Sequence, residues 1–343
     1  MRIPVYGYIL GAVTVMLTIP MMMTWEAPPM DTAQVGFRGT GMELISNPRL
    51  VAKNAAAVDI PEAQEPAEKS GDKASDIYEN VPVLGDLDQA EFDRLMLAIT
   101  EWVSPEEGCS YCHSDENLAE DSKYTKIVAR RMLQMTKTIN NQWGEVHAQP
   151  TGVTCYTCHR GQPVPQNVWS TNPGLPEYGG IAASKMGQNL ASKEVGTTSL
   201  PYDPFTELLG KDGKIRVAAT TVLPEGTMTS SIQDTEKTYA LMMHMSQSLG
   251  ANCTFCHNTR NFGDWSQSPA TRVKAWHGIK MVNQINQTYI DPLASVFPDN
   301  RKGPEGDVLK VNCATCHAGA NKPLYGANML KDYVTELNAA KSQ

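Results

Sequence analysis

The pattern C-x-x-C-H occurs four times in this chain and uses all eight of its cysteines. It is typical of covalent c-type haem attachment, in which two thiols bond one porphyrin and the histidine binds its iron. The four copies span Cys109–His113, Cys155–His159, Cys253–His257 and Cys313–His317. The predicted attachment cysteines are Cys109, Cys112, Cys155, Cys158, Cys253, Cys256, Cys313 and Cys316. The predicted iron-binding histidines are His113, His159, His257 and His317.

Two other uses of eight cysteines were weighed against haem. Disulfide bridges in an oxidising compartment have no reason to place a histidine after the second cysteine of every pair. A zinc ribbon needs paired C-x-x-C units but no fixed following histidine. We therefore predict four covalently bound haem c groups.

The bulk composition agrees with a core built around cofactors. The chain has 343 residues, but only 7% are aromatic, so the porphyrins would supply much of the apolar volume. Its formal net charge is −8, which argues against nucleic acid as a partner. A basic soluble partner would be steered toward such a surface.

Residues 3–23 form an uncharged and mostly apolar run. As a helix it would span roughly 30 Å, enough to cross the hydrocarbon core of a bilayer. A cleaved signal peptide is the alternative, but no A-x-A-like cleavage site follows the run. We expect residues 1–23 to be a retained transmembrane anchor, with Arg2 on the cytoplasmic side and the haem domain in the periplasm.

The rest of the chain alternates helical patterns with the haem motifs. Three helices are expected from about Asp88 to Val103, over 124–143 and over 235–249. A fourth is expected to begin with Ser268 as its N-cap and Pro269 as its first residue, and to end before Asp291. A short helix is expected within 327–339.

The predicted fold is mainly α with much irregular structure, a multihaem cytochrome c built from a duplicated helix–CxxCH unit. The predicted organisation is an extended segment and solvated linker (24–80), a first dihaem half (81–170), a connecting segment with a hairpin at Lys211–Lys214 (171–230), and a second dihaem half (231–343).

Four six-coordinate irons need eight axial ligands, and the motifs supply four of them. The remaining histidines number only three, His147, His244 and His277, so at least one haem must use another donor. Methionine is the usual alternative in c-type cytochromes.

Three helical patterns carry methionine at the same phase before a motif. Each begins a trio spaced i, i+3, i+7, so its members share one helical face. These are the trios starting at Met96, Met132 and Met242, which we predict to be the sixth ligands of the first, second and third haems. Methionine is also a common core filler, and Met135 and Met243 remain alternatives for the second and third haems.

The fourth helical pattern lacks this methionine. When Ile285–Asn286 is matched with Ile139–Asn140, the position of Met132 is occupied by Gly278. A glycine leaves room for a group from elsewhere, and His147 is the best candidate. The fourth haem would then be ligated by His317 and His147, while His244 and His277 are expected to be ordinary packed or surface residues.

At this point the chain resembles the tetrahaem cytochrome subunit of photosynthetic reaction centres of purple-type bacteria. The segments that carry the resemblance are GFRGTGM, LMLAITEWVSPEEGCSYCH, YTKIVARRMLQMTKTINNQWGEVHAQPTGVTCYTCHRGQP, YDPFTELL, YALMMHMSQSLGANCTFCHN and LKDY. The resemblance implies Met/His ligation of the first three haems, through Met96, Met132 and Met242, and bis-His ligation of the fourth. Many members are anchored through a lipid-bearing cysteine, which this chain replaces with its apolar segment.

The resemblance also implies a function. A soluble donor, such as a small cytochrome c or a high-potential iron–sulfur protein, would reduce the haems, and the subunit would re-reduce the photo-oxidised bacteriochlorophyll special pair. The protein would be an electron carrier and not an enzyme, and it would bind the membrane subunits of the reaction centre. The third haem would lie nearest the pigment, and Arg272 is a candidate residue for adjusting the haem potential. The alternatives are a membrane-anchored tetrahaem quinol dehydrogenase, which relies on more histidines, or another respiratory multihaem electron carrier.

Overall fold

The N-terminal apolar run forms one long helix. The computed structural model describes residues 4–23, 28–172, 192–196, 198–217 and 230–338. Helix α1 covers Val5–Met23, and none of its side chains is buried by the rest of the protein. It is the one helix among the described residues that is long and apolar enough to cross a membrane.

The remaining elements are mostly short helices joined by irregular chain. Strands β1 (Asp31–Gln34) and β2 (Glu43–Ser46) pair antiparallel. The α-helices are α2 (Pro48–Ala56), α3 (Ala74–Ile77), α4 (Gln89–Val103), α5 (Tyr124–Gln142), α6 (Cys155–His159), α7 (Ile232–Leu249), α8 (Ala270–Gln284), α9 (Cys313–His317) and α10 (Val334–Leu337). Single 3-10 turns cover Gly108–Tyr111, Cys253–Phe255, Asp291–Ser295, Asp299–Arg301, Pro323–Gly326 and Leu330–Asp332, and π-helical turns cover Gly144–Ala148, Thr206–Gly210 and Ile285–Ile290.

The four long helices beside the haem motifs lie close to the predicted bounds. The Asp88 carboxylate caps α4 by accepting from the backbone N–H of Ala90. Helix α7 ends at Gly250, which adopts the left-handed conformation that favours glycine. Helix α8 begins one residue later than predicted, with Pro269 as its N-cap. The Ser268 hydroxyl is used elsewhere, because it donates to the carbonyl oxygen of Asp264 and accepts from Arg272.

The hairpin predicted around Lys211–Lys214 is wrong in its first strand. Residues 206–210 form a π-helical turn, and no strand is assigned within 198–217. The Asp203 carboxylate accepts from the N–H groups of Phe205 and Thr206, each at 3.0 Å. With Pro204 next in sequence, Asp203 starts a helical turn as an N-cap does. The second strand would fall mainly on residues 218–229, which lie outside the described residues.

The segment predicted as a solvated linker is partly packed instead. Val58 and Ile60 contact the apolar core of the first half. The Arg94 side chain donates to the carbonyl oxygens of Gln64 and Glu65 and pairs with Glu336 at 2.8 Å. Composition did not reveal these contacts, because the linker is bound mainly through its backbone carbonyls.

The C-terminal segment also crosses the predicted boundary between halves. Leu324, Tyr333 and Leu337 are buried in one core with Leu95 and Trp102 of α4. A second core gathers residues of α7, α8 and the 205–209 turn around Leu209 and Leu241, and a third joins α5 to the α8 region around Ile139, Met281 and Ile285. The two predicted halves therefore share their packing.

Candidate haem-binding sites

The four C-x-x-C-H motifs adopt two conformations that alternate along the chain. The first and third contain 3-10 turns, at Gly108–Tyr111 and Cys253–Phe255. The second and fourth are the one-turn helices α6 and α9, each closed by a capping box and followed by a left-handed residue, Arg160 or Ala318. The first and third motifs also share a backbone contact at their third residue. The carbonyl oxygen of Tyr111 accepts from the Thr125 hydroxyl, and that of Phe255 accepts from the Thr271 hydroxyl.

Every motif histidine has its Nδ1 within hydrogen-bond distance of a backbone carbonyl oxygen. The acceptors are those of Leu118, Gln162, Phe262 and Ala320, at distances of 2.8, 2.9, 3.2 and 2.9 Å for His113, His159, His257 and His317 respectively. A carbonyl can only accept, so Nδ1 carries the proton and Nε2 keeps its lone pair. This is the tautomer that a metal-bound histidine requires.

His147 has the same arrangement, although it lies outside the motifs. It belongs to the π-helical turn Gly144–Ala148, and its Nδ1 lies 2.9 Å from the carbonyl oxygen of Lys274. Its ring fills the space beside Gly278, where an added Cβ would come within 2.5 Å of the His147 Cε1. The ring centroids of His147 and His317 are 6.1 Å apart. This separation would leave room for one metal ion between the two rings, since each metal–nitrogen bond is about 2 Å and the rest of the distance is taken up by the rings themselves.

His244 is bonded differently from these five. It is buried, its Nε2 lies 3.1 Å from the Ser248 hydroxyl, and its ring makes a T-shaped contact with Phe205. The nitrogen that would bind a metal is therefore engaged within its own helix. His277 lies half-buried beside Trp143 and Trp276.

Helices α4 and α7 meet the second and fourth motifs in the same register. The N–H of Gly161 donates to the carbonyl oxygen of Trp102, one residue before the end of α4. In the same way, the N–H of Gly319 donates to the carbonyl oxygen of Ser248, one residue before the end of α7. Counting back six residues from these two carbonyls reaches Met96 in α4 and Met242 in α7, both half-buried.

Helix α5 and the α8 region are registered by two asparagines. Asn140 donates to the carbonyl oxygen of Val153 and accepts from its N–H. Asn286 makes the same pair of bonds with Val311, and both valines stand two residues before a motif cysteine. Counting back eight residues from the asparagines reaches Met132 in α5 and Gly278 in α8.

A mainly apolar cavity brings together the predicted groups of the second haem. Its lining includes Cys155, Cys158, His159 and Met132. Aliphatic side chains dominate the remaining surface, among them Ile99, Leu133, Val153, Val164 and Val311. Two attachment thiols, a histidine and a thioether around one apolar space fit a covalently attached haem.

Burial sets the acid–base state of several motif side chains. Burial raises the pKa of the Cys155 and Cys313 thiols to about 12, so both stay protonated at neutral pH. The described residues contain no cluster of three or more His, Cys, Asp or Glu side chains able to hold a metal ion. Burial also lowers the pKa of His317 to about 4, which keeps this imidazole neutral.

The second and fourth motifs touch each other. The sulfur atoms of Cys158 and Cys316 lie 2.9 Å apart, longer than a disulfide bond. Arg160 strengthens this contact by donating from Nη2 to the carbonyl oxygen of Cys316 at 3.1 Å.

The third motif contacts elements from distant parts of the sequence. The Asn252 side chain accepts from the N–H of Ile45 and donates to the carbonyl oxygen of Glu43, which joins it to strand β2. Arg272 of α8 stacks over the Trp265 ring and donates to the carbonyl oxygen of Asp264. Sequence reasoning missed the β2 contact, since no local pattern indicates a partner two hundred residues away.

The comparisons with known proteins agree over nearly the whole chain. A family model described as the photosynthetic reaction centre cytochrome C subunit matches residues 26–337. The chain is 51% identical to the photosynthetic reaction center cytochrome c subunit of Rubrivivax gelatinosus, over 94% of this chain and 88% of the relative. It is 48% identical to that of Thermochromatium tepidum (96% and 80% covered) and 42% identical to that of Roseobacter denitrificans (89% and 85% covered).

Proposed function

Because this chain belongs to the family of photosynthetic reaction centre cytochrome c subunits, it is an electron-transfer subunit of a photosynthetic reaction centre, and we propose how its residues perform that task. The family resemblance predicted from sequence is confirmed, and it implies covalently bound haem c. The proposal is that four haems carry electrons from a soluble donor to the photo-oxidised bacteriochlorophyll special pair. Each bound haem supplies a one-electron iron couple, whose potential the protein sets through axial ligands, hydrogen bonds and burial.

Each of the first three haems would be held by one histidine and one methionine of this chain. The pairs are Met96 with His113, Met132 with His159, and Met242 with His257. The observation that carries Met242 over Met243 is the matching register of α4 and α7, in which Met242 takes the place of Met96. Met132 is supported over Met135 by its position opposite Gly278 in the asparagine register.

The fourth haem is held by His317 and His147. Gly278 stands where α5 has Met132, so no side chain of α8 occupies the ligand position there. The π-helical turn after α5 supplies His147 instead, with its Nε2 free. The second half of the chain would thus borrow a ligand from the first half.

The repeated registers support an internal duplication. One unit comprises α4, the first motif, α5 and the second motif; the other comprises α7, the third motif, α8 and the fourth motif. Each unit pairs a 3-10 motif with an α-helical motif. This organisation corresponds to the two predicted dihaem halves, although the C-terminal segment packs with the first.

The contacts between motifs support a linear order of the haems. The second and fourth motifs touch at the centre through Cys158 and Cys316. Helix α4 carries the methionine of the first haem and packs on the second motif. Helix α7 carries the methionine of the third haem and packs on the fourth motif. The order along the row is then first, second, fourth and third.

The N-terminal anchor supports placing the third haem nearest the membrane. Seven residues separate Met23 from Asp31, so even fully extended chain leaves these residues within roughly 30 Å of each other. The hairpin that begins at Asp31 is bonded directly to the third motif through Asn252. With the haem domain in the periplasm, a soluble donor would meet the end that carries the residues of the first haem, and the residues of the third haem would face the membrane. Arg272, half-buried beside the third motif, would favour the reduced form of that haem.

The proposal is tested by a redox titration combined with flash kinetics on membranes that contain the complex. We expect four haem equivalents, three of them with sulfur-to-iron charge-transfer absorption, and oxidation of the third haem first after a flash. Fewer haems, or no light-induced oxidation, would contradict it. The quinol dehydrogenase alternative is not favoured by the comparisons, and it would show haem reduction by quinol without light.

A further inference from the structure

A single charged group of the second half reaches the predicted cavity of the second haem. Arg301 follows Pro298 in the 3-10 turn Asp299–Arg301, and its side chain lines this cavity together with Tyr111 and Tyr124. Among the described residues that line the cavity there is no Asp, Glu or Lys and no other Arg. A cation therefore stands at the wall of an apolar space without a neighbouring carboxylate in that wall.

The lack of an acidic partner separates Arg301 from its neighbours in sequence. Lys302 pairs with Asp299 at 3.1 Å, and Lys310 pairs with Asp307 at 2.7 Å. Within the described part of the chain, no carboxylate oxygen lies within 4 Å of the Arg301 guanidinium. A half-buried cation of this kind is stabilised by an anion, and guanidinium groups bind carboxylates through a planar pair of hydrogen bonds.

Tyr111 supplies a hydroxyl at the same place. The Arg301 Nη2 lies 3.4 Å from the Tyr111 Oη, which connects the first motif to the loop before the fourth. In the other half the equivalent residue is Phe255, since the carbonyl oxygens of Tyr111 and Phe255 accept from the equivalent hydroxyls of Thr125 and Thr271. The repeated unit therefore has no hydroxyl at Phe255, whereas Tyr111 has one beside Arg301.

We propose that Arg301 and Tyr111 form the binding site for the propionate carboxylates of the second haem. The inference rests on the proposed ligation of that haem by His159 and Met132. Arg160, which directly follows the second motif, bonds the carbonyl oxygen of Cys316 in the fourth motif and does not line this cavity. The second half would then provide the counter-charge for a haem of the first half, and the first half would provide His147 for a haem of the second.

A cation beside the propionates raises the potential of the second haem, because the reduced iron carries one positive charge fewer. The test is an equilibrium redox titration of the purified protein, with the haem-to-protein ratio measured from the pyridine haemochrome. For Arg301→Gln we expect the ratio of reduced to oxidised second haem at a fixed ambient potential to fall about tenfold, which is 59 mV for a one-electron couple. Arg301→Lys should keep most of the wild-type ratio, and Tyr111→Phe should lower it less than Arg301→Gln does.

Lys302→Gln is the matched control, since it removes one positive charge at the next residue, where Asp299 already neutralises it. This variant should leave the second haem's ratio unchanged. A shift in Lys302→Gln as large as in Arg301→Gln would overturn the site, because any nearby cation would then suffice. An Arg301→Lys variant that behaves like Arg301→Gln, or that loses haem with it, would also overturn the site, since charge would not be what the site needs. Haem loss confined to Arg301→Gln would support it.

Met132→Leu separates this inference from the proposed function. That variant should move the redox wave of the second haem and so identify it. If Met132→Leu moves no wave, the ligand assignment fails. If Met132→Leu moves one wave and Arg301→Gln moves a different wave or none, the ligands stand and the propionate site is refuted.

Discussion

At the scale of single residues, the nitrogen that each histidine leaves free is the informative feature. His147 and the four motif histidines engage Nδ1 with a backbone carbonyl, whereas His244 engages Nε2 with Ser248. Since sequence alone does not report which ring nitrogen is free, the seven histidines look alike until their partners are known. The proposed ligand set therefore rests on hydrogen bonds as well as on spacing.

The choice between Met242 and Met243 is testable by substitution. Replacing Met242 with Leu removes the thioether, and we expect the potential of the third haem to fall by about 0.1–0.3 V, a fraction of the roughly 0.8 V over which axial ligands set haem potentials. Met243→Leu, one residue further round the same helix, should leave that potential in place. Both are measured by redox titration, and the reverse result would move the ligand to Met243.

Gly278 allows a second test at this scale. In Gly278→Ala the new methyl group would meet the His147 ring, so we expect His147 to be displaced and the fourth haem to show a high-spin signal by electron paramagnetic resonance. Gly144→Ala is the control, because it lies on the turn that carries His147 and its methyl group would come no closer than 3.9 Å to a neighbouring side chain. Unchanged low-spin spectra in both variants would argue against His147 as a ligand.

At the scale of elements, helix ends and asparagine side chains fix the helices that carry the proposed ligands. The Trp102 and Ser248 carbonyls fix α4 and α7 against the following motifs, while Asn140 and Asn286 fix α5 and the α8 region. Such contacts fix the position of a helix along its axis to within one residue. The pattern of residues on one helical face does not fix that position so closely. These contacts put Met96 of α4 at the same register position as Met242 of α7, and Met132 of α5 at that of Gly278 in α8.

The bracket around Asn286 can be tested by its contribution to stability. Its side chain is fully buried and bonds the carbonyl oxygens of Leu209 and Val311 and the N–H of Val311. In Asn286→Ala these backbone groups lose their partner, and we expect the free energy of unfolding to fall by about 1–3 kcal/mol. The exposed Asn141→Ala should change it by no more than about 0.5 kcal/mol. Thermal unfolding followed by circular dichroism compares the two variants, and equal midpoints would show that the bracket is dispensable.

The sequence predicted the helices well because their ends carry local chemistry. Asp88 and Gly250 mark an N-cap and a C-cap, and the matched Ile–Asn pairs anticipated the register between α5 and α8. It failed where partners are distant in the chain, as for the β1–β2 hairpin bonded to Asn252. It also failed at Asp203, where a capping side chain turned a β-prone run into a helical turn. Arg301 could be found only from the cavity that it lines.

At the scale of the whole molecule, shared packing makes the two halves one electron-transfer unit. The C-terminal segment packs in the core of the first half, and in the proposed arrangement His147 and Arg301 would likewise serve the half to which they do not belong in sequence. Because the core around Ile139 and Met281 also joins the halves, we expect the halves to unfold together and not as separate domains. In the proposed arrangement the anchor, the hairpin and the third motif would hold one end of the row of haems near the membrane, and the end with the first haem would be left for a donor.

The net charge of −8 leads to a prediction about that donor. Haem propionates add further negative charge, so a basic cytochrome c is attracted over distances comparable with the Debye length, which shrinks from about 30 Å at 0.01 M to about 8 Å at 0.15 M salt. We expect the second-order rate of haem reduction by a basic donor to fall by at least about tenfold over this range, as measured by stopped-flow absorbance. The control is the same cytochrome c with its surface lysines acetylated, which should react slowly at both salt concentrations. A rate for the basic donor that does not depend on salt would mean that docking depends on apolar contact and not on the charge of this subunit.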